Sequence, residues 1–198
     1  MTEAIRKSGK RHYLDKDARK KQLIEQAADL VEGKGWAVLN MSALADHAKV
    51  SRQLVYQHFP NLDGLLVETA RHIFMETMMM SQAAIMGHQG NIRDAVRAAG
   101  MVSLDLPQGR GDALWQLIAG MNYGSEALEK LRMRIRELIL SLWVPLFQKT
   151  YEMEETSARS LVWMLIIAFW GLRQMVRDGM VSREQAMDEM DRVVKAVL

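Results

Sequence analysis

The chain has 198 residues, 49% of them apolar and 25% charged, which is the balance of a folded globular protein and not of a disordered one. It has no cysteine, so disulfides, thiolate metal sites and cysteine nucleophiles are excluded together. The net charge of +2 is unevenly placed: residues 1–21 hold eight basic side chains against three acidic ones, a net of +5, which leaves −3 for the other 177 residues.

A basic arm leading into a near-neutral body is the footprint of phosphate contact at one end, though a solubilising tail has the same composition. The opening residues carry no apolar segment of the signal-peptide kind. The longest apolar run, Leu161 to Leu172, is shorter than the roughly 20 residues of a bilayer span. The expected setting is the cytoplasm, with no membrane partner.

Taken in chain order, Leu23, Ile24, Ala27, Ala28, Leu30 and Val31 recur at helical spacing, with Asp15 placed to cap the start and Gly35 the end, so a helix is predicted over 16–34. Asn40 caps a short helix over 41–48, Lys49-Val50 forms a turn, and Ser51 caps a second short helix to about His58. A longer helix follows over 62–86. Further helices are predicted at about 91–104, 112–122, 125–150, 155–178 and 183–197, separated by Pro107-Gln-Gly-Arg-Gly, Gly124 and Gly179. No stretch alternates at period two, so the fold class is all-α.

Residues 40–59, NMSALADHAKVSRQLVYQHF, carry the chemistry. Two short helices that cross steeply need small residues at the contact, here Ala45 and Ala48, and apolar wedges, here Leu44, Val50 and Val55. Such a helix-turn-helix turns the first residues of its second helix, Arg52, Gln53 and Leu54, toward a major groove. Arg52 suits a guanine edge and Gln53 an adenine edge.

Residues of roughly 19–66 resemble the DNA-binding domain of the TetR family of bacterial regulators. The resemblance runs through Gly35-Trp36, the cap Asn40, Leu44-Ala45, Val50-Ser51, Tyr56-Gln57-His58-Phe59 and Leu65-Leu66, in order and register. It implies an N-terminal three-helix head over 16–66, preceded by a basic arm over 1–15 and followed by a helical effector-binding and dimerisation domain over 67–198. It also implies phosphate contacts from Tyr56 and His58, and a DNA contact near Ser42. Two positions depart from the family pattern. Lys49 stands where glycine is usual in the turn, at a cost of about 1–2 kcal/mol for a left-handed residue. Leu62 replaces a common lysine. Lys49 is placed to reach a phosphate, and Lys10, Arg11, Lys20 and Lys21 of the basic segment supply further charge.

The body contains most of the 16 methionines and Trp115, Trp143, Trp163 and Trp170. Methionine and aromatic side chains suit an adaptable apolar pocket, though at helical spacing they also build ordinary core. The candidate lining is Met101, Trp115, Trp143, Phe147, Met164 and Phe169, with Asn122 and Tyr123 to orient a ligand. Few acids lie in these stretches, so a largely apolar, uncharged or weakly polar effector is expected. The segment LVWMLIIAFWGLRQMV is apolar nearly all round and so needs cover on several sides. With the final helix it is the expected dimer interface, through Trp163, Trp170, Met190 and Val194.

The reading is therefore a homodimeric, ligand-responsive repressor of a palindromic operator on duplex DNA. No cofactor is implied: the spacing of the histidines suits no metal, and no nucleophile–base–orienter set supports an enzyme. A DNA-binding regulator controlled by a protein partner or by its own abundance, without a small effector, remains the alternative.

Overall fold

Asp15 accepts a hydrogen bond from Lys16 N, and Gly35, at φ 82°, ends the helix that begins there. In this computed structural model residues 15–88, 91–119 and 125–197 are described, and among them all regular structure is helical. The head comprises α1 (Lys16–Lys34), a short 3-10 turn at Trp36–Val38, α2 (Met41–His47) and α3 (Arg52–His58). The long α4 (Leu62–Met86) leaves the head and enters the body, which is formed by α5 (Ile92–Asp105), α6 (Gln108–Ala119), α7 (Glu126–Tyr151), α8 (Glu155–Arg177) and α9 (Arg183–Val197).

The core of the head follows from its sequence pattern. Leu23, Ala27 and Val31 of α1 meet Leu44, Ala45, Val55 and Phe59, all almost wholly buried. The same cluster continues without a break through Leu65, Ala70 and Ile73 of α4 into Leu114, Leu117 and Ile118 of α6 and Trp170 of α8. A second cluster, around Leu140, Phe147, Leu161, Val162, Met190 and Val194, joins α7, α8 and α9.

The segment at Pro107 departs from expectation. Its glycines suggested a loop, yet α6 begins at Gln108 and takes Gly109 and Gly111 into its first turns. Close approach accounts for both. A Cβ at Gly109 would overlap the Glu32 carbonyl of α1, and one at Gly111 would overlap the Arg173 guanidinium of α8. The missing side chains let α6 sit directly on α1 and α8.

Among the described residues one helix, α8, is long and apolar enough to cross a membrane by length and composition. Instead, Ala158, Leu161, Val162, Leu165 and Trp170 face its own bundle, and the buried Arg173 donates to the carbonyls of Ser103, Leu106, Pro107 and Gln108.

Helix propensity alone makes Gly109→Ala stabilising by about 1 kcal/mol. The overlap with the Glu32 backbone makes it destabilising, because forced overpacking costs about 1–3 kcal/mol. The expected outcome is a lower melting temperature, by roughly 2–8 °C for a chain of this length, measured by thermal denaturation.

Candidate nucleic-acid interface and ligand cavity

The two short helices of the head are held by side-chain caps. Asn40 Oδ1 accepts from the backbone N–H groups of Ser42 and Ala43 at 3.0 and 2.9 Å, and Ser51 Oγ accepts from Leu54 N at 3.2 Å. Each such cap contributes about 1 kcal/mol. Together they offset the strained turn between them, where Lys49 has φ 55°.

With Val55 wholly buried, α3 presents Arg52, Gln53, Tyr56 and Gln57 outward, Tyr56 being 54% exposed. Lys49 is exposed, Ser42 and Leu54 are half-buried, and Ser51 is exposed although its hydroxyl serves as the cap. Gln57 was not among the sequence candidates, yet it follows Gln53 by one helical turn and shares its face.

His58 closes this face. Its Nδ1 is buried without a hydrogen-bond partner, and burial, followed by the charges of Lys16, Arg19 and Lys20, holds its pKa below the ordinary histidine value. The first turn of α1 thus lies beside the end of α3, so Lys16 and Arg19, counted in the basic segment but not singled out in it, add positive charge to one surface. Lys20 pairs with Glu68 at 3.2 Å and lies 6.0 Å from the centre of the Phe59 ring, while Lys21 is largely exposed, 4.0 Å from Glu25. Lys10 and Arg11 lie outside the described residues.

The second site is a cavity of about 140 Å³ in the body, walled by α4, α5, α6, α7 and α8. Of the candidate lining residues, Trp143, Phe147 and Phe169 stand on its wall. Phe74 and Trp170 complete the aromatic lining among the described residues, and Thr77, Ser81 and Ser103 supply hydroxyls.

Three other candidates are elsewhere. Trp115 packs 5.2 Å from Trp170, centre to centre, and Met101 and Met164 are exposed on outer faces of α5 and α8. Asn122 and Tyr123 lie outside the described residues.

The side chains expected at the dimer interface need the same correction. Trp170, Met190 and Val194 are 5%, 1% and 4% exposed within the single chain, because α9 spends its apolar stripe on α5 and α8. Trp163 is half-buried beneath the Arg136 guanidinium, which lies 4.7 Å from its ring centre.

Residues 23–69, which include the whole helix-turn-helix, match the family model described as bacterial regulatory proteins, tetR family. The match places the helix-turn-helix head in the TetR family. The regulator BetI of Paraburkholderia phytofirmans is 24% identical over 119 residues, 60% of this chain and 60% of BetI; the BetI of Paraburkholderia xenovorans matches equally. The matched region thus spans less than two thirds of these relatives.

Among solved structures, a transcriptional regulator from Rhodococcus sp. Rha1 shares the fold with a TM-score of 0.76 at 17% identity, over 90% of this chain and 95% of that one. The multidrug binding protein EbrR, solved with imidazole, has a TM-score of 0.61 at 22% identity, over 88% of this chain and 93% of its own. As in these relatives, a helix-turn-helix head precedes a helical body.

Two outcomes follow from this TetR-like head. Lys49→Gly relieves a left-handed lysine, and after the entropy cost of glycine it raises stability by about 0.5–1 kcal/mol in denaturant unfolding. For His58, the folded protein binds a proton less readily than the unfolded chain. Its contribution to stability is therefore full above a pH of about 6.5 and is lost as the pH falls toward its lowered pKa. The expected result is that wild type loses more stability than His58→Gln between pH 7 and pH 5; parallel profiles would remove His58 as the cause.

Proposed function

We propose that the chain is a homodimeric repressor that is released from a palindromic DNA operator by a small, largely apolar effector. The observation that carries this reading is that α6 borders the cavity and also packs against α1 and Trp36 of the head. Leu114 and Ile118 of α6 stand on the cavity wall, while the Ala113 carbonyl of the same helix accepts from Trp36 Nε1 of the head at 2.9 Å. Arg110, in the first turn of α6, pairs with Glu32 of α1 and Glu76 of α4. A ligand that displaces α6 thereby displaces α1, against which α2 and α3 are packed.

On the DNA side, Arg52 and Gln53 are assigned to base edges, with Gln57 beside them. Tyr56, His58, Lys49 and the basic residues of α1 are assigned to phosphates. Release requires that the effector prefer the conformation in which the two heads are misplaced for DNA, since equal affinity for both conformations shifts nothing. EbrR, of the same fold, is a multidrug binding protein, which supports a small-molecule role for the cavity.

The dimer is assigned to the outer faces of α7 and α8. Leu138, Leu142 and Leu146 form an exposed apolar row on α7, and Met164, Ile167 and Met175 form one on α8, with Gly171 open to close approach. Rows of this kind, left bare, are an association hazard, and two copies packed across them make a four-helix interface.

Ile167→Glu is expected to convert a sedimenting dimer to a monomer at micromolar concentration. Operator affinity, followed by fluorescence anisotropy, should then fall by on the order of 10²–10⁴-fold through lost bivalency. A variant that stays dimeric places the interface elsewhere. A wild-type chain that never releases its operator, under a broad panel of apolar compounds, fits regulation without an effector.

A further inference from the structure

Five aromatic rings, Phe74, Trp143, Phe147, Phe169 and Trp170, face one cavity, and among the described residues no acidic or basic side chain stands on its wall. Thr77, on the same wall, already donates to the Ile73 carbonyl at 3.1 Å. Ser103 does not: its Oγ is buried without a hydrogen-bond partner. The Ser103 carbonyl accepts from Arg173 Nη1 at 2.7 Å, and the remaining bonds of that guanidinium go to the Leu106, Pro107 and Gln108 carbonyls. This end of the cavity thus combines a free hydroxyl with a nearby cation whose bonded hydrogens are directed at backbone.

We propose that the cavity binds a neutral, single-ring aromatic molecule carrying one oxygen that hydrogen-bonds to Ser103 Oγ. The proposal rests on the ligand-responsive reading above and names the chemistry of its effector. Size sets the ring count: the cavity of about 140 Å³ is close to the roughly 150 Å³ of an engineered apolar cavity that holds benzene. The aromatic wall favours a ring, through edge-to-face and offset contacts.

Charge is disfavoured in both directions. A cation finds no carboxylate among the described wall residues and has Arg173 nearby, and an anion would exchange its hydration for the neutral hydroxyls of Ser81 and Ser103 with no cation on the described wall. A ring with no polar atom leaves Ser103 unsatisfied, and buried polar groups are expensive to leave unpaired.

The test uses the full chain and four probes that share one ring and one substituent carbon: benzyl alcohol, toluene, benzoate and benzylammonium. Binding is read by calorimetry and by the fluorescence of Trp143 and Trp170. Benzyl alcohol is expected to bind, and both charged probes to bind more weakly. Ser103→Ala should weaken benzyl alcohol about 3–10-fold, the range of one hydrogen bond, and leave toluene unchanged or tighter. Retained toluene binding shows that the variant's cavity is intact, and Ser103→Thr, which keeps the hydroxyl, should keep the benzyl alcohol affinity within that range. The proposal is overturned if Ser103→Ala affects both neutral probes equally, if a charged probe binds more tightly than benzyl alcohol, or if neither neutral ring binds. Operator release is measured separately by anisotropy, so that binding without release overturns the regulatory reading while the ligand class stands.

Discussion

The hydrogen bond from Trp36 Nε1 to the Ala113 carbonyl is the contact on which the rest of the arrangement depends. It joins the turn after α1 to the middle of α6 at a point buried from water, where an indole donor left unpaired would cost about 1–3 kcal/mol. Around it the fit is close. Gly109 brings the α6 backbone against the Glu32 carbonyl, and Arg110 reaches from the same turn to carboxylates on both α1 and α4. The head is therefore fixed to the body by α6 as well as by the continuous α4, and a shift of α6 cannot be absorbed by a loose joint.

Arg173 plays a matching part at the other end of the same helix turn. It is 6% exposed and pairs with no carboxylate by hydrogen bond; its guanidinium is satisfied by backbone carbonyls of the α5–α6 corner. A buried cation is costly, and burial pushes its pKa down, but the nearby Asp112 acts in the opposite direction. The return is geometric. One side chain gathers carbonyls of four residues from the end of α5, the connection and the start of α6, so the corner that borders the cavity is held from α8. Gly111 makes this possible by leaving room for the guanidinium.

What was legible in the sequence follows from where local rules suffice. Asp15, Asn40 and Ser51 cap their helices, as their positions before apolar runs suggest, and the left-handed Lys49 was visible as a non-glycine in a tight turn. The sites of the body were less legible, because periodicity marks an apolar face without saying what covers it. Met190 and Val194 have the spacing of an interface stripe, but α5 and α8 of the same chain cover them. Met164 reads as a lining residue and faces outward, 59% exposed. Gly109 and Gly111 read as a loop because the reason for a glycine can lie on another helix. Ser103 carried no local signal at all, since a lone serine in an apolar helix is unremarkable until its hydroxyl is found without a partner.

The joint at α6 also constrains the energetics of any response. Linkage is reciprocal, so under the proposed mechanism an effector that weakens operator binding by a given factor must itself bind more weakly, by that factor, to the operator-bound protein. The cavity wall is drawn from α4 and α6, which pack against α1 of the head, and from α5, α7 and α8. Under the proposed mechanism a ligand that pressed only on the second group would act on the head indirectly, as through the hold of Arg173 on the start of α6. Coupling is then most direct through Phe74 and Thr77 of α4 and through Leu114 and Ile118 of α6, while Ser103 of α5 and the rings of α7 and α8 contribute affinity. Selectivity for a ligand and transmission of its presence would then draw on overlapping but distinct side chains of one cavity.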